Sequence, residues 1–109
     1  MTKELSGRVA IVTGAGRNIG RAIALALAEG GAAVAVNARA NRDEAETVAS
    51  EIARAGGKAI ALIADVVDPA AVEKMTAAAA AHFGRIDILV NNAAVRAEQA
   101  FDKMTLAEW

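Results

Sequence analysis

The sequence contains no cysteine and no tyrosine, a single proline, a single histidine and only 3% aromatic residues. Lack of cysteine removes disulfides and thiolate metal sites, while saying little about compartment. Lack of tyrosine removes a phenol as proton donor or acceptor. The one histidine, His82, has neither cysteine nor a glutamate-rich helix face near it, so no metal site is expected. It falls near a helix end beside Gly84, where an imidazole suits the last carbonyls. The formal net charge is -1, which offers nucleic acid no general basic surface. Apolar runs break before membrane-spanning length, and no cationic, cleavable segment opens the chain. A cytoplasmic protein with no membrane or nucleic-acid partner is the expectation.

What is present is an apolar chain of 109 residues, 55% hydrophobic, with alanine supplying much of that share. This length allows one domain at most. Its centre is Thr13-Gly14-Ala15-Gly16-Arg17-Asn18-Ile19-Gly20. The apolar run Val9-Ala10-Ile11-Val12 leads in, as a buried parallel strand would, and an alanine- and leucine-rich stretch of helix length leads out. Strand, glycine turn and helix together form the context of a dinucleotide site. Glycine lets the backbone take positive φ and approach a ligand closely. The helix N-terminus that follows offers unpaired N–H groups and partial positive charge, which suit a pyrophosphate. Read without that context, the stretch is an ordinary structural turn. No Gly-Lys-Ser/Thr follows, which argues against a P-loop.

The rest of the chain alternates in the same way. Strands are expected over Arg8 to Val12, Ala33 to Val36, Lys58 to Ala64 and Asp87 to Val90. Helices are expected over Ile19 to Ala28, from Asn41 to about Ala55, and from Asp68-Pro69 to about Phe83. Gly30-Gly31, Gly56-Gly57 and Gly84 close them. Asn41 with Glu44 has capping-box spacing, and Asp68-Pro69 is a good N-cap and first-turn pair. Thr105 and Glu108 mark one more helix start. Such alternation implies a parallel sheet with crossover helices, an α/β Rossmann-type doubly wound fold in strand order 3-2-1-4 that stops after its fourth strand. The switch point lies between strands one and four. Their carboxyl ends carry the glycine turn and Asn91-Asn92-Ala93-Ala94, so both motifs converge on one crevice.

Residues at the end of the second strand choose between cofactors. An acid there holds the ribose 2′-hydroxyl of NAD, whereas arginine accommodates the 2′-phosphate of NADP. Asn37-Ala38-Arg39 has no acid, and Arg39 can meet a phosphate with a charge-assisted fork. NADP(H) is therefore favoured, with NAD(H) possible. A solvated loop cation near Asp43 or Glu44 is the other reading of Arg39.

Thr13-Gly14, with Asn18 and Gly20 following, resembles the TGxxxGxG turn of the short-chain dehydrogenase/reductase family, with Asn18 in place of the middle glycine. Asparagine tolerates left-handed backbone better than other non-glycine residues, so the turn can persist. Ala64-Asp65-Val66 resembles that family's Asp-Val element, and Asn91-Asn92-Ala93-Ala94 its NNAG, with Ala94 for glycine. The resemblance covers nearly the whole chain, including a 3-oxoacyl-reductase-like cofactor half. It implies that Gly14, Gly16, Arg17, Asn18, Ile19 and Gly20 hold the diphosphate end and that Arg17 assists Arg39 in cofactor choice. It further implies that Asp65 and Val66 meet the adenine, and that Asn91 and Ala93 border the ribose, with the asparagines tying strands together. Asp65 also suits a plain turn at a strand end, and Glu98 and Arg96 could border a substrate or be solvated loop residues.

In that family an Asn-Ser-Tyr-Lys group beyond the fourth strand exchanges a proton with the substrate oxygen as hydride moves. No tyrosine occurs here, so no catalytic residue is assigned. The resemblance makes residues 1–109 the N-terminal part of one NAD(P)-binding domain, the cofactor half of an oxidoreductase acting on a small carbonyl or secondary alcohol. Such a half is expected to form a homo-oligomer or to associate with its C-terminal half, because its fourth strand would be an open edge. A dinucleotide-binding module without turnover, or an inactive fragment, fits the same residues.

Overall fold

A computed structural model describes residues 3–92. Four strands and three helices alternate: β1 (Val9–Val12), α1 (Asn18–Glu29), β2 (Ala33–Ala38), α2 (Arg42–Arg54), β3 (Ala59–Ile63), α3 (Pro69–Phe83) and β4 (Ile88–Val90). The strands form one parallel sheet in the order β3-β2-β1-β4, as the alternation of apolar runs predicts. Ile11 pairs with Ala35 on one side and with Leu89 on the other, which sets the register of β2, β1 and β4.

Successive side chains of a strand point to opposite faces, and in β1 and β2 both faces are buried. Val12, Val34 and Val36 pack with Ala24 and Ala28 of α1 and with Ala45, Val48 and Ile52 of α2. On the opposite face Ile11 and Ala35 pack with Met75 and Ala79 of α3. Full burial of each Val or Ile side chain contributes about 1.5–3 kcal/mol, so the α1/α2 face carries most of the apolar stabilisation. Alanine on α1 and α3 lets those helices lie close to the sheet. Along one face of α2, Ala45, Val48 and Ile52 are buried and Ala49 is partly buried, while Ala55, the C-cap residue, is exposed.

Local signals end each helix. Asn41 accepts a hydrogen bond from the Glu44 amide at 3.1 Å and caps α2, and Asp68 accepts from the Ala70 amide at 3.1 Å and caps α3. Gly84 closes α3 at φ +88°, a left-handed conformation that favours glycine. After α1 the left-handed residue is Gly31, at φ +103°, while Gly30 remains right-handed. Strand β2 runs two residues further than its apolar run suggests, through Asn37 and Ala38. The helix start expected at Thr105 lies outside the described residues.

At the amino end of the sheet, Asp87 precedes β4. It accepts hydrogen bonds from the Val9 amide at 2.9 Å and from the Arg85 guanidinium, with Arg8 at 3.6 Å. The Arg85 hydrogen bond, followed by that from Val9, holds the Asp87 carboxyl below the usual carboxylate range. On the helical surface, Arg21 of α1 makes a two-pronged ion pair with Glu51 of α2.

Candidate functional site

Where β1 ends, the chain turns at Gly14 with φ +61°, and Ala15 donates its amide to the Asn37 carbonyl at 2.7 Å. Asn18, where a glycine would be usual, adopts φ 56° and is the only positive-φ non-glycine residue among those described. Gly20 is buried in the first turn of α1. A Cβ there would lie 2.2 Å from the Gly14 carbonyl oxygen and 2.6 Å from Asn92 Nδ2, so only glycine allows this approach. The turn therefore needs left-handed backbone at Gly14 and Asn18 and an absent side chain at Gly20.

Two polar side chains fasten this turn to its neighbours. Asn37, 1% exposed, accepts from the Gly14 amide at 3.2 Å through Oδ1. Its Nδ2 lies within reach of the Leu62 and Ala64 carbonyls at 3.2 and 3.1 Å, so one side chain links the ends of β1, β2 and β3. Thr13 Oγ1 accepts from the Asn92 amide at 2.9 Å, and its proton is placed for Val90 O or Asn91 Oδ1, each at 3.3 Å. Asn92 Nδ2 donates to the Gly14 carbonyl at 3.3 Å. The asparagines after β4 thus tie that strand to the turn after β1.

The carboxyl ends of the strands border an open crevice of about 840 Å³. It lies along the carboxyl ends of the strands, where ligands of open α/β folds bind. Gly14, Gly16, Arg17, Asn18 and Ile19 form one wall. Arg39, Asp65 and Val66 line the other end. Gly20 lies beneath the turn. Asn91 is exposed beside the crevice, and Asn92, not Asn91, contributes to its lining. Ala93, with Ala94, Arg96 and Glu98, lies outside the described residues.

The α1 terminus differs from the other two. Its N-cap, Arg17, is extended at φ -162° and supplies no side-chain hydrogen bond to the first turn. An uncapped first turn retains N–H groups that seek an acceptor and a dipole that favours an anion. With a glycine wall beside them, those amides fit a diphosphate. The cradle is therefore compatible with a dinucleotide.

Arg39 is not near Asp43 or Glu44 in an ion pair. Its Nε meets Asp65 Oδ2 at 3.2 Å, across the ends of β2 and β3. Asp65 Oδ1 also accepts the Val67 amide at 3.1 Å, so this residue builds a turn as well as lining the crevice. The arginine side chain is 82% exposed, which leaves its terminal nitrogens open to a ligand. His82 is exposed in the last turn of α3, its ring edge-on to Phe83 with centroids 4.8 Å apart.

Asn37, Thr13 and Glu44 join the site beyond the residues its sequence motifs predict. A polar residue closing the apolar run of β2, and a hydroxyl between strand and glycine turn, are the signals that mark the first two. Nothing in the sequence places Glu44, on α2, against Gly16.

Residues 8–109 match the family model described as short chain dehydrogenase. An uncharacterized oxidoreductase of Methylorubrum extorquens is 47% identical over 102 residues, covering 94% of this chain and 41% of that protein. Versicolorin reductase 1 of Aspergillus parasiticus is 52% identical over 92 residues, covering 84% of this chain and 35% of that protein. The chain thus spans well under half the length of these relatives. Among solved structures, a short chain dehydrogenase from Burkholderia cenocepacia in complex with NADP superposes with a TM-score of 0.83 at 42% identity. That match covers 96% of this chain and 43% of the other.

Proposed function

Because this chain belongs to the short-chain dehydrogenase/reductase family, we propose that residues 1–109 are the N-terminal part of a single NAD(P)-binding domain of an oxidoreductase. In this reading the diphosphate sits over Gly14 to Gly20, against the first-turn amides of α1. Arg39, assisted by Arg17, meets a 2′-phosphate, so NADP(H) is preferred and NAD(H) is accepted less well. Asp65 and Val66 border the adenine, and Asn91 with Ala93 borders the ribose. The nicotinamide, when bound, supplies or takes the hydride. This chain's own residues bind and orient the cofactor.

The observation that carries the proposal is the bare first turn of α1 opening on a glycine wall, with an exposed guanidinium at the far end of the same crevice. No residue of this chain is assigned to the substrate proton, and the substrate class is a small carbonyl or secondary alcohol. The relative named as a versicolorin reductase supports an oxidoreductase reading. The active unit is an oligomer or a complex with the C-terminal half, in the cytoplasm. Among the described residues no helix is long and apolar enough to cross a membrane.

Fluorescence titration with NADPH and NADH tests the cofactor reading. Saturable binding of both, tighter for NADPH, is the expected result; no binding of either would overturn it. NADPH consumption with simple ketones, once a C-terminal half is supplied, tests the reaction class.

A further inference from the structure

Four charged side chains line the crevice, Arg17 and Arg39 against Glu44 and Asp65, so their formal charges cancel. That balance is unexpected in a site read as taking a polyanion. Asp65 is occupied with Arg39 and with the Val67 amide. Glu44 is different. It is half-buried in the first turn of α2, and its amide is taken by Asn41, but its carboxylate makes no hydrogen bond or ion pair among the described residues.

Its position is set by the glycine wall. A Cβ at Gly16 would lie 3.1 Å from Glu44 Cβ and 3.3 Å from Glu44 Oε2, so the carboxylate rests against the turn one residue before Arg17. On its other side, the capping segment Ala40-Asn41 joins it to Arg39, and both residues line the crevice. The acid therefore stands between the backbone positions of the two arginines. An unpaired carboxylate in a partly enclosed crevice repels a second anion more strongly than it would in open water.

We propose that Glu44 is a specificity-determining residue that opposes a phosphate on the 2′ oxygen of the bound adenosine, and so limits the preference for NADP(H) over NAD(H). This rests on the cofactor reading above. The two arginines attract the 2′-phosphate, Glu44 subtracts from that attraction, and the 2′-hydroxyl of NAD(H) meets no such opposition. Glutamate in the first turn also favours the helix dipole, which gives the acid a structural reason to be there.

Adenosine 2′,5′-bisphosphate and adenosine 5′-monophosphate differ only in the 2′-phosphate, and they probe this end of the crevice without the nicotinamide. Calorimetric titration of the chain and of Glu44→Gln with both gives an affinity ratio for each protein. The isosteric neutral side chain should raise the ratio in favour of the bisphosphate by about three- to tenfold, as expected for removing one nearby charge in a partly solvated site. An unchanged or lower ratio overturns the proposal. Asp43→Asn removes a neighbouring exposed acid that does not line the crevice. An equal rise in that variant would assign the effect to overall charge and also overturn it. If the unaltered chain binds neither probe, the cofactor reading falls and takes the role of Glu44 with it. If it binds both and the ratio does not move, only the role of Glu44 falls.

Discussion

Asn37 Oδ1 accepts the Gly14 amide at 3.2 Å, so the end of β2 fixes the bend by which the chain leaves β1. The same side chain reaches carbonyls of the β3 end. One buried amide therefore coordinates three strand ends beneath the crevice. Asn37→Leu keeps the volume but leaves the Gly14 amide and the carbonyls without their partner. Such unsatisfied buried groups cost about 1–3 kcal/mol each, and a loss of about 2–4 kcal/mol is expected in urea denaturation. A loss below about 0.5 kcal/mol, the range of ordinary surface changes, would show that the linkage is incidental.

Gly20 and Asn18 make separable demands on the glycine turn. Gly20→Ala puts a methyl 2.2 Å from the Gly14 carbonyl, and backbone must move to accept it. A destabilisation of about 1–3 kcal/mol is expected, together with weaker dinucleotide binding. Asn18 sits at φ 56°, where a Cβ is costly but no atom clash is implied. Asn18→Gly should be neutral or slightly stabilising, and Asn18→Val should lose about 1–2 kcal/mol. Equal effects of the two Asn18 changes on the melting midpoint would contradict this account.

Arg39→Asp reverses the charge facing the adenosine end and breaks the pair with Asp65. Charge-assisted contacts to a phosphate are worth about 1.5–3 kcal/mol, so NADPH affinity should fall by about ten- to a hundredfold. NADH affinity should hold or improve. Parallel losses for both cofactors in fluorescence titration would place the 2′-phosphate elsewhere.

Acid should weaken the fold through Asp87. Its carboxyl is held below the ordinary range by Arg85 and then by the Val9 amide, so the unfolded chain binds the proton more readily. The stabilisation is complete above the ordinary carboxylate pKa of about 4 and is lost as pH falls from there through the lower folded value. Asp87→Asn should be less stable at neutral pH and show a shallower decline as pH falls below about 4. Identical pH profiles for the two proteins in denaturant titrations would remove Asp87 from the acid response.

The architecture was legible because short apolar runs, glycine stops and polar caps follow one another without conflict. Asn41 and Asp68 cap where spacing put them, and Asn18 takes the left-handed conformation that its replacement of glycine demands. The end of β2 was harder to read. Asparagine is a poor strand former, and Asn37 is in the strand because its side chain is paid in hydrogen bonds across three strand ends. The alanine-rich α3 shows no clear apolar stripe, so its buried positions, Met75 and Ala79, emerge only from packing on the sheet. Within the site, the glycine spacing was visible in the sequence. The contact of Arg39 with Asp65 and of Glu44 with the Gly16 wall joins segments that no local pattern relates.

Both α2 and α3 bring their own caps, whereas α1 begins without one. The free energy that a cap would supply to α1 is left for whatever occupies the crevice to provide. Ligand that binds only the folded chain raises the melting midpoint with its concentration, and here that gain should register first as slower amide exchange over Asn18 to Arg21. The helix nearest the crevice would then report occupancy through its own fraying.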